Sequence, residues 1–148
     1  EKNGSKQILL VDWNVIPLSL VVCEAQRHDV KLLGPTLEQM ILKPSEQNRP
    51  KQCHLCADKG YAGKPAQLLI TARGYVPHVP QREKAEAKRK RRPGRRRPRR
   101  WVVERTHSWL NRFRKLLVRF EKLATSYDGL VELACALIVF RQTIVIYG

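Results

Sequence analysis

Two short runs of apolar, branched residues open the chain. Gln7 to Val11 and Val15 to Cys23 have the length and composition of strands, and Asp12-Trp13-Asn14 between them favours a tight turn, so a β-hairpin is predicted. Asp29 is placed to cap a helix running towards Leu42, with Gly34-Pro35 able to move its start to Pro35. Polar residues Pro44 to Lys51 read as a loop, and Gln52 to Ala57 as a short buried strand that ends at Asp58. Gly60 and Gly63 flank a turn, Lys64 to Arg73 is helical in composition, Gly74 suits the position just past a helix end, and Tyr75 to Val79 makes a further strand. The apolar pattern stops after Pro80 and resumes at Trp101. There, 100° steps put Val102, Trp109, Phe113, Leu116, Leu117 and Phe120 on one arc, with Glu104, Ser108, Asn111 and Lys115 opposite. Tyr127 to Ile146 is predicted as a final helix packed on the body. The order of elements implies an α/β fold without internal repeats.

Composition adds a partner. The chain has 148 residues and 43% hydrophobic content, which suits one domain with its own core. Its formal net charge of +16 points to a polyanion, and residues 81–100 alone hold 12 Lys/Arg against 2 Glu. That segment cannot form a core, and with Pro93, Gly94 and Pro98 it is expected to be a basic loop that binds nucleic acid. The most apolar stretch, Leu130 to Ile146, is interrupted by Glu132, Arg141 and Gln142, so a membrane partner is not expected. With no signal peptide, the four cysteines read as reduced thiols of a cytoplasmic, nucleoid-associated protein. Cys53-His54-Leu55-Cys56 has the spacing of a zinc half-site, which Cys23 and His28 could complete. Positions i and i+3 of a strand face opposite sides, however, and no second such motif follows. Cys135 reads as a small core residue. The chain opens on Glu1 close to a strand and is expected to be part of something longer.

Three stretches carry a resemblance: Gln26-Arg27-His28-Asp29, Ala57-Asp58-Lys59-Gly60-Tyr61, and Arg100-Trp101-Val102-Val103-Glu104-Arg105 followed by Trp109 to Arg114. Together they resemble the DDE domain of insertion-sequence transposases over essentially residues 1–148. The resemblance implies a ribonuclease H-like α/β fold, truncated at its N-terminus, in which three acids hold two divalent metal ions for DNA cleavage and strand transfer. Asp58 matches the second acid and Glu104 the third. The first would lie on an absent upstream strand, before Lys2-Asn3-Gly4-Ser5-Lys6, while Asp12 falls in the hairpin turn. The missing strand would leave Gln7 to Val11 and Gln52 to Ala57 each with an unpaired inner edge, and the isolated chain inactive.

The implied cofactor is Mg²⁺, with Mn²⁺ as a substitute. Hard cations take oxygen ligands, and two of them can activate the attacking oxygen and stabilise the leaving oxygen of a phosphodiester. The implied partner is double-stranded DNA, at element ends and at a target, bound by a homodimer. Arg100, four residues before Glu104, matches a backbone-contacting arginine of the family. The basic residue often found seven places after the glutamate is here Asn111, leaving Arg112 and Lys115 to substitute. Arg105 and Lys59 complete the expected DNA-contacting set, and Arg114 could join it.

Plainer readings stand beside these. Glu104 could simply complement a helix dipole, Asp58 could be a turn residue, Tyr61 a core aromatic, and Asp29 an N-cap beside a polar His28. A non-catalytic DNA-binding remnant or regulator would use the same basic surface, and an RNA-binding protein is disfavoured because 81–100 contains no aromatic residue on which bases could stack.

Overall fold

The computed structural model describes residues 4–41, 53–80 and 100–147. The loop expected at 44–51 and the basic segment, apart from Arg100, lie outside them. The chain divides into two compact units: residues 1–27, 35–42 and 100–148 form one, and 28–34 with 43–99 the other.

In the first unit, β1 (Ser5–Val11) pairs antiparallel with β2 (Pro17–Glu24), with Leu9 opposite Leu20 and Gln7 opposite Val22. The turn lies one step later than the sequence suggests. Asp12 closes it with its backbone N–H on the Ile16 carbonyl at 3.0 Å, and its carboxylate accepts the Ile16 N–H at 2.8 Å. Trp13, Asn14 and Val15 therefore form the loop, and Val15, expected in the strand, takes a left-handed φ of 69°. A β-branched residue resists that conformation, so neighbouring contacts must impose it.

Thr106 supplies one such contact. It lies on α3 (Arg100–Leu110) and is fully buried, and its hydroxyl donates to the Val15 carbonyl at 3.0 Å while also lying 3.3 Å from the Val102 carbonyl one turn back. Val102 and Leu110 are buried on the same face. The helix expected to run on through Phe120 instead breaks at 111–113. Tight turns close from Arg112 to Trp109 and from Phe113 to Leu110, and a short α4 (Arg114–Leu117) follows. Neither glycine nor proline marks this break. It removes Leu117 and Phe120 from the predicted buried arc and leaves both exposed, whereas Leu116 stays in the core.

The long α5 (Ala124–Tyr147) closes the unit. Tyr127, Val131, Ala134 and Ile138 recur on one of its faces and pack with Leu110 and Leu116 against Leu9, Leu20 and Val22 of the hairpin. The Tyr127 hydroxyl is satisfied within this core, accepting from Gln7 at 2.8 Å and donating to the Leu116 carbonyl at 3.3 Å. Cys135, half-buried at the edge of this core, has its thiol pKa pushed up to about 11 by burial and by the nearby Glu132 charge.

In the second unit, β3 (Cys53–Cys56), α2 (Lys64–Ala72) and β4 (Tyr75–His78) form a parallel β-α-β element with Cys53 opposite Tyr75 and Cys56 opposite His78. Ala66 and Ile70 are the buried face of α2, and Gly74, at φ 76°, makes the left-handed exit that turns the chain into β4. Among the described residues β1 pairs only with β2, and β3 only with β4.

One element passes through the division. Helix α1 (Asp29–Glu38) has Pro35 inside it rather than at its start. Proline lacks the N–H that would reach back one turn, and its ring crowds the carbonyl four residues earlier, so the helix is weakest there. The boundary between the units falls between Gly34 and Pro35.

Thr106→Val keeps the shape of the side chain but removes the hydroxyl that donates to the Val15 carbonyl. Unfolding in urea followed by tryptophan fluorescence is expected to show a loss of roughly 1–3 kcal/mol, with Thr106→Ser close to the parent. Equal losses in both variants would mean that packing of the methyl, and not the hydroxyl, holds the turn.

Candidate functional site

Asp58 follows β3 by two residues, after Ala57 extends the ladder by donating to the His78 carbonyl at 3.1 Å. It stands at the C-terminal end of a parallel strand, where open α/β sheets place their ligands. Its backbone is extended, its carboxylate accepts the Lys59 N–H, and its carbonyl accepts the Tyr61 N–H at 3.0 Å, so that it caps the single 3-10 turn Lys59–Tyr61. The plain role as a turn residue is thus real. The side chain is nonetheless exposed. Lys59 beside it is exposed too, and Tyr61 is half-buried.

Sequence reasoning did not foresee what stands opposite this turn. Asp29 is the first residue of α1, and its Oδ2 lies 3.4 Å from where a Cβ on Gly60 would sit. A second carboxylate therefore rests against the turn that Asp58 caps. On sequence Asp29 reads first as a helix cap, with a direct role in the site the lesser alternative, and the signal for that alternative is its company with His28 in the resembling stretch.

Glu104 lies in the first unit, exposed on the side of α3 opposite Val102, Thr106 and Leu110. The buried Thr106 anchors that helix, so the backbone that carries Glu104 is held firmly while its carboxylate meets solvent. Arg105 is exposed beside it, with its guanidinium 5.7 Å from the centre of the Trp109 ring one turn on. Trp101, half-exposed one turn before Glu104, meets Trp13 of the hairpin loop edge to face, at 6.3 Å between ring centres. Arg100 is the first residue of α3. Arg112 is exposed in the break after α3, and Lys115 and Arg114 are exposed on α4, so the break turns them away from the line of α3. All the acids and bases expected in the site, where described, thus reach solvent, but they are distributed over two units.

Among the described residues no group of three or more His, Cys, Asp or Glu stands close enough to hold an ion. The carboxylates of Asp58 and Glu104 have the oxygen donors that a hard cation takes, but the described residues do not assemble a complete set. Cys53 is half-buried and Cys56 exposed, and both are free thiols. His54, between them, hydrogen-bonds the His78 ring at 2.7 Å across the strand pair. No described helix is long and apolar enough to cross a membrane.

On α3 itself, His107 has its pKa lowered by burial. Below its ordinary value near 6.5, an unfolded chain takes up a proton that the folded chain refuses. Stability is therefore expected to be complete above that pH and to decline as pH falls from there to the folded value. Denaturant midpoints between about pH 8 and pH 5 should show this decline, smaller in His107→Gln. An undiminished decline in the variant would assign it to other groups.

Comparison with known proteins agrees with the motifs. Residues 55–141 match the family described as Transposase DDE domain, a span that includes both Asp58 and Glu104. A curated relative, a putative transposase for insertion sequence element IS402 from Burkholderia cepacia, is 34% identical over 143 residues. That alignment takes in 93% of this chain but 64% of the relative, so the chain spans less than two thirds of the relative's length. No solved structure matches. A family span that reaches from β3 to α5 and contains both motif acids settles the membership: this chain belongs to the DDE transposase domain family of insertion sequences.

Proposed function

We propose that the chain is the C-terminal part of a ribonuclease H-like transposase domain that cuts double-stranded DNA at element ends and joins it to a target. The observation that carries this reading is the family span itself, 55–141, which contains an exposed Asp58 at a parallel strand end and an exposed Glu104 on a firmly anchored helix. Asp58 and Glu104 are the proposed catalytic carboxylates and the residues that would hold Mg²⁺ or Mn²⁺, with a further ligand from residues other than these two. Such ions, when bound, polarise the phosphodiester and stabilise its leaving oxygen.

The remaining roles belong to the basic residues. Lys59, Arg105, Arg112 and Lys115 are exposed and would make phosphate contacts, which fix the DNA in place without reading its sequence. Arg100 and the rest of residues 81–100, 12 Lys/Arg in all, would supply most of the affinity by displacing counterions. The place of action is DNA in the cytoplasm. The alternative is a DNA-binding remnant or regulator without catalysis, which would use the same basic surface.

The two readings separate on the full gene product. Asp58→Asn and Glu104→Gln keep side-chain size and remove charge, so each is expected to abolish Mg²⁺-dependent nicking of element-end DNA while DNA affinity changes less than about threefold. Wild-type rates in Glu104→Gln would return that residue to a role in helix electrostatics, and a parent protein that binds but never nicks would favour the regulator.

Salt supplies a second test. Deleting 81–99 should flatten the dependence of DNA affinity on salt, because fewer counterions are released, and weaken binding to unrelated sequences equally. An unchanged slope would take the segment out of the interface.

A further inference from the structure

The exposed face of the parallel strand pair carries two imidazoles that the proposed catalysis leaves unused. Leu55 is buried, so its neighbours His54 and Cys56 share the opposite, solvent-facing side of β3. On β4, Val76 stands opposite His54 and His78 opposite Cys56, which makes His54 and His78 diagonal neighbours on that side. Their ring centres lie 4.9 Å apart with the planes 41° from parallel, and His54 Nδ1 is 2.7 Å from His78 Nε2. Both residues are exposed.

At that distance one nitrogen carries a proton and the other accepts it through its lone pair. The two nitrogens therefore point at one spot, and the ion they share is a proton. A metal ion that takes both lone pairs would occupy the same spot, with the proton released to solvent. Imidazole nitrogen bonds Zn²⁺ at about 2.0–2.1 Å, so a tetrahedral angle at the metal asks for about 3.3 Å between the nitrogens. The pair must open by roughly 0.6 Å, which side-chain rotation supplies because both residues face solvent.

The donors select the ion. Neutral imidazoles suit borderline ions such as Zn²⁺, Cu²⁺ and Ni²⁺, which bind through lone-pair donation, whereas Mg²⁺ and Ca²⁺ take charged oxygens. A net charge of +16 sharpens this choice, since a cation gains no long-range attraction from such a chain. The CxxC spacing plays no part. Cys53 belongs to the other side of the strand, and among the described residues no third His, Cys, Asp or Glu stands close enough to join, so water fills the remaining positions. One imidazole holds such an ion at roughly millimolar strength, and a second already in place gains about a hundredfold, for a dissociation constant on the order of 10 μM.

We propose that His54 and His78 form a two-imidazole site for a divalent transition ion of the zinc class. Bound there, the ion clips β3 to β4, each of which has only the other as strand partner among the described residues, and so steadies the strand that leads to Asp58. The site is separate from the carboxylates and depends on neither the catalytic nor the DNA-binding reading.

Zn²⁺ titration of the full gene product against a chromophoric chelator tests this, with excess Mg²⁺ to occupy carboxylates. His54→Gln and His78→Gln, both at exposed positions, should each lose one bound Zn²⁺ per chain through a weakening of at least about tenfold, with unchanged circular dichroism. Zn²⁺ should raise the melting temperature of the parent and of Cys56→Ser alike, and that of either histidine variant less, because an ion that binds only the folded chain stabilises it. With Co²⁺ as the probe, the absorption lost in His54→Gln should contain no intense thiolate band. An equal count of bound Zn²⁺ in the parent and in either histidine variant overturns the proposal. So does a Cys56→Ser protein that loses the ion as fully as the histidine variants, or a Co²⁺ thiolate band that disappears with His54→Gln, since a thiolate would then be a ligand.

Discussion

The buried hydrogen bond from Thr106 to the Val15 carbonyl is the constraint on which the first unit turns. It joins the middle of α3 to a hairpin loop whose last residue holds an unfavourable φ of 69°. A polar pair inside an apolar environment stabilises modestly when made and costs more when one partner is lost. The loop and the helix therefore hold each other. Two consequences follow on the helix surface. Trp101 is brought against Trp13, and the face that carries Glu104 and Arg105 is turned to solvent on a rigid support. An acid that is to bind a cation needs this combination of fixed backbone and accessible oxygen, because a wandering ligand loses affinity to its own entropy.

The second unit reaches the same end by another route. There the parallel β3-α2-β4 element ends its first strand at Asp58, and the 3-10 turn Lys59–Tyr61 takes one carboxylate oxygen to cap itself. The cap orients the side chain without burying it. Asp29, resting against Gly60, adds negative charge to the same turn.

Much of the local structure could be read in the sequence, where the causes are local. Turn residues bounded the hairpin, and the glycine that ends α2 stood at Gly74 as helix-exit chemistry requires. The strand before Asp58 and the strand after α2 were legible from apolar runs, while their parallel pairing was not. The failures have tertiary causes. Val15 looks like a strand residue because its branched side chain favours one, whereas the Asp12 turn and the contact with Thr106 hold it in the loop. The break at 111–113 carries no Gly or Pro, so an unbroken arc to Phe120 was the natural reading. Helix α1 continues through Pro35 although the local rule places proline at a start. In α5 the apolar run predicts one helix packed on the body, whereas the fold buries one stripe and exposes the other. For the site, the exposure of Asp58 and Glu104 followed from their positions, but the approach of Asp29 to Gly60 joins residues thirty-one apart in sequence, which no local pattern specifies.

Cleavage of the polypeptide by bound iron tests most directly the proposal that Asp58 and Glu104 serve one metal centre. Fe²⁺ in place of Mg²⁺, with ascorbate and peroxide, generates radicals that cut backbone near the bound ion. On the full gene product bound to element-end DNA, cuts are predicted at both the 57–61 turn and the middle of α3, each suppressed by excess Mg²⁺ and each lost together in either Asp58→Asn or Glu104→Gln. Cuts at only one of the two segments, or cuts that persist in both variants, would contradict the account.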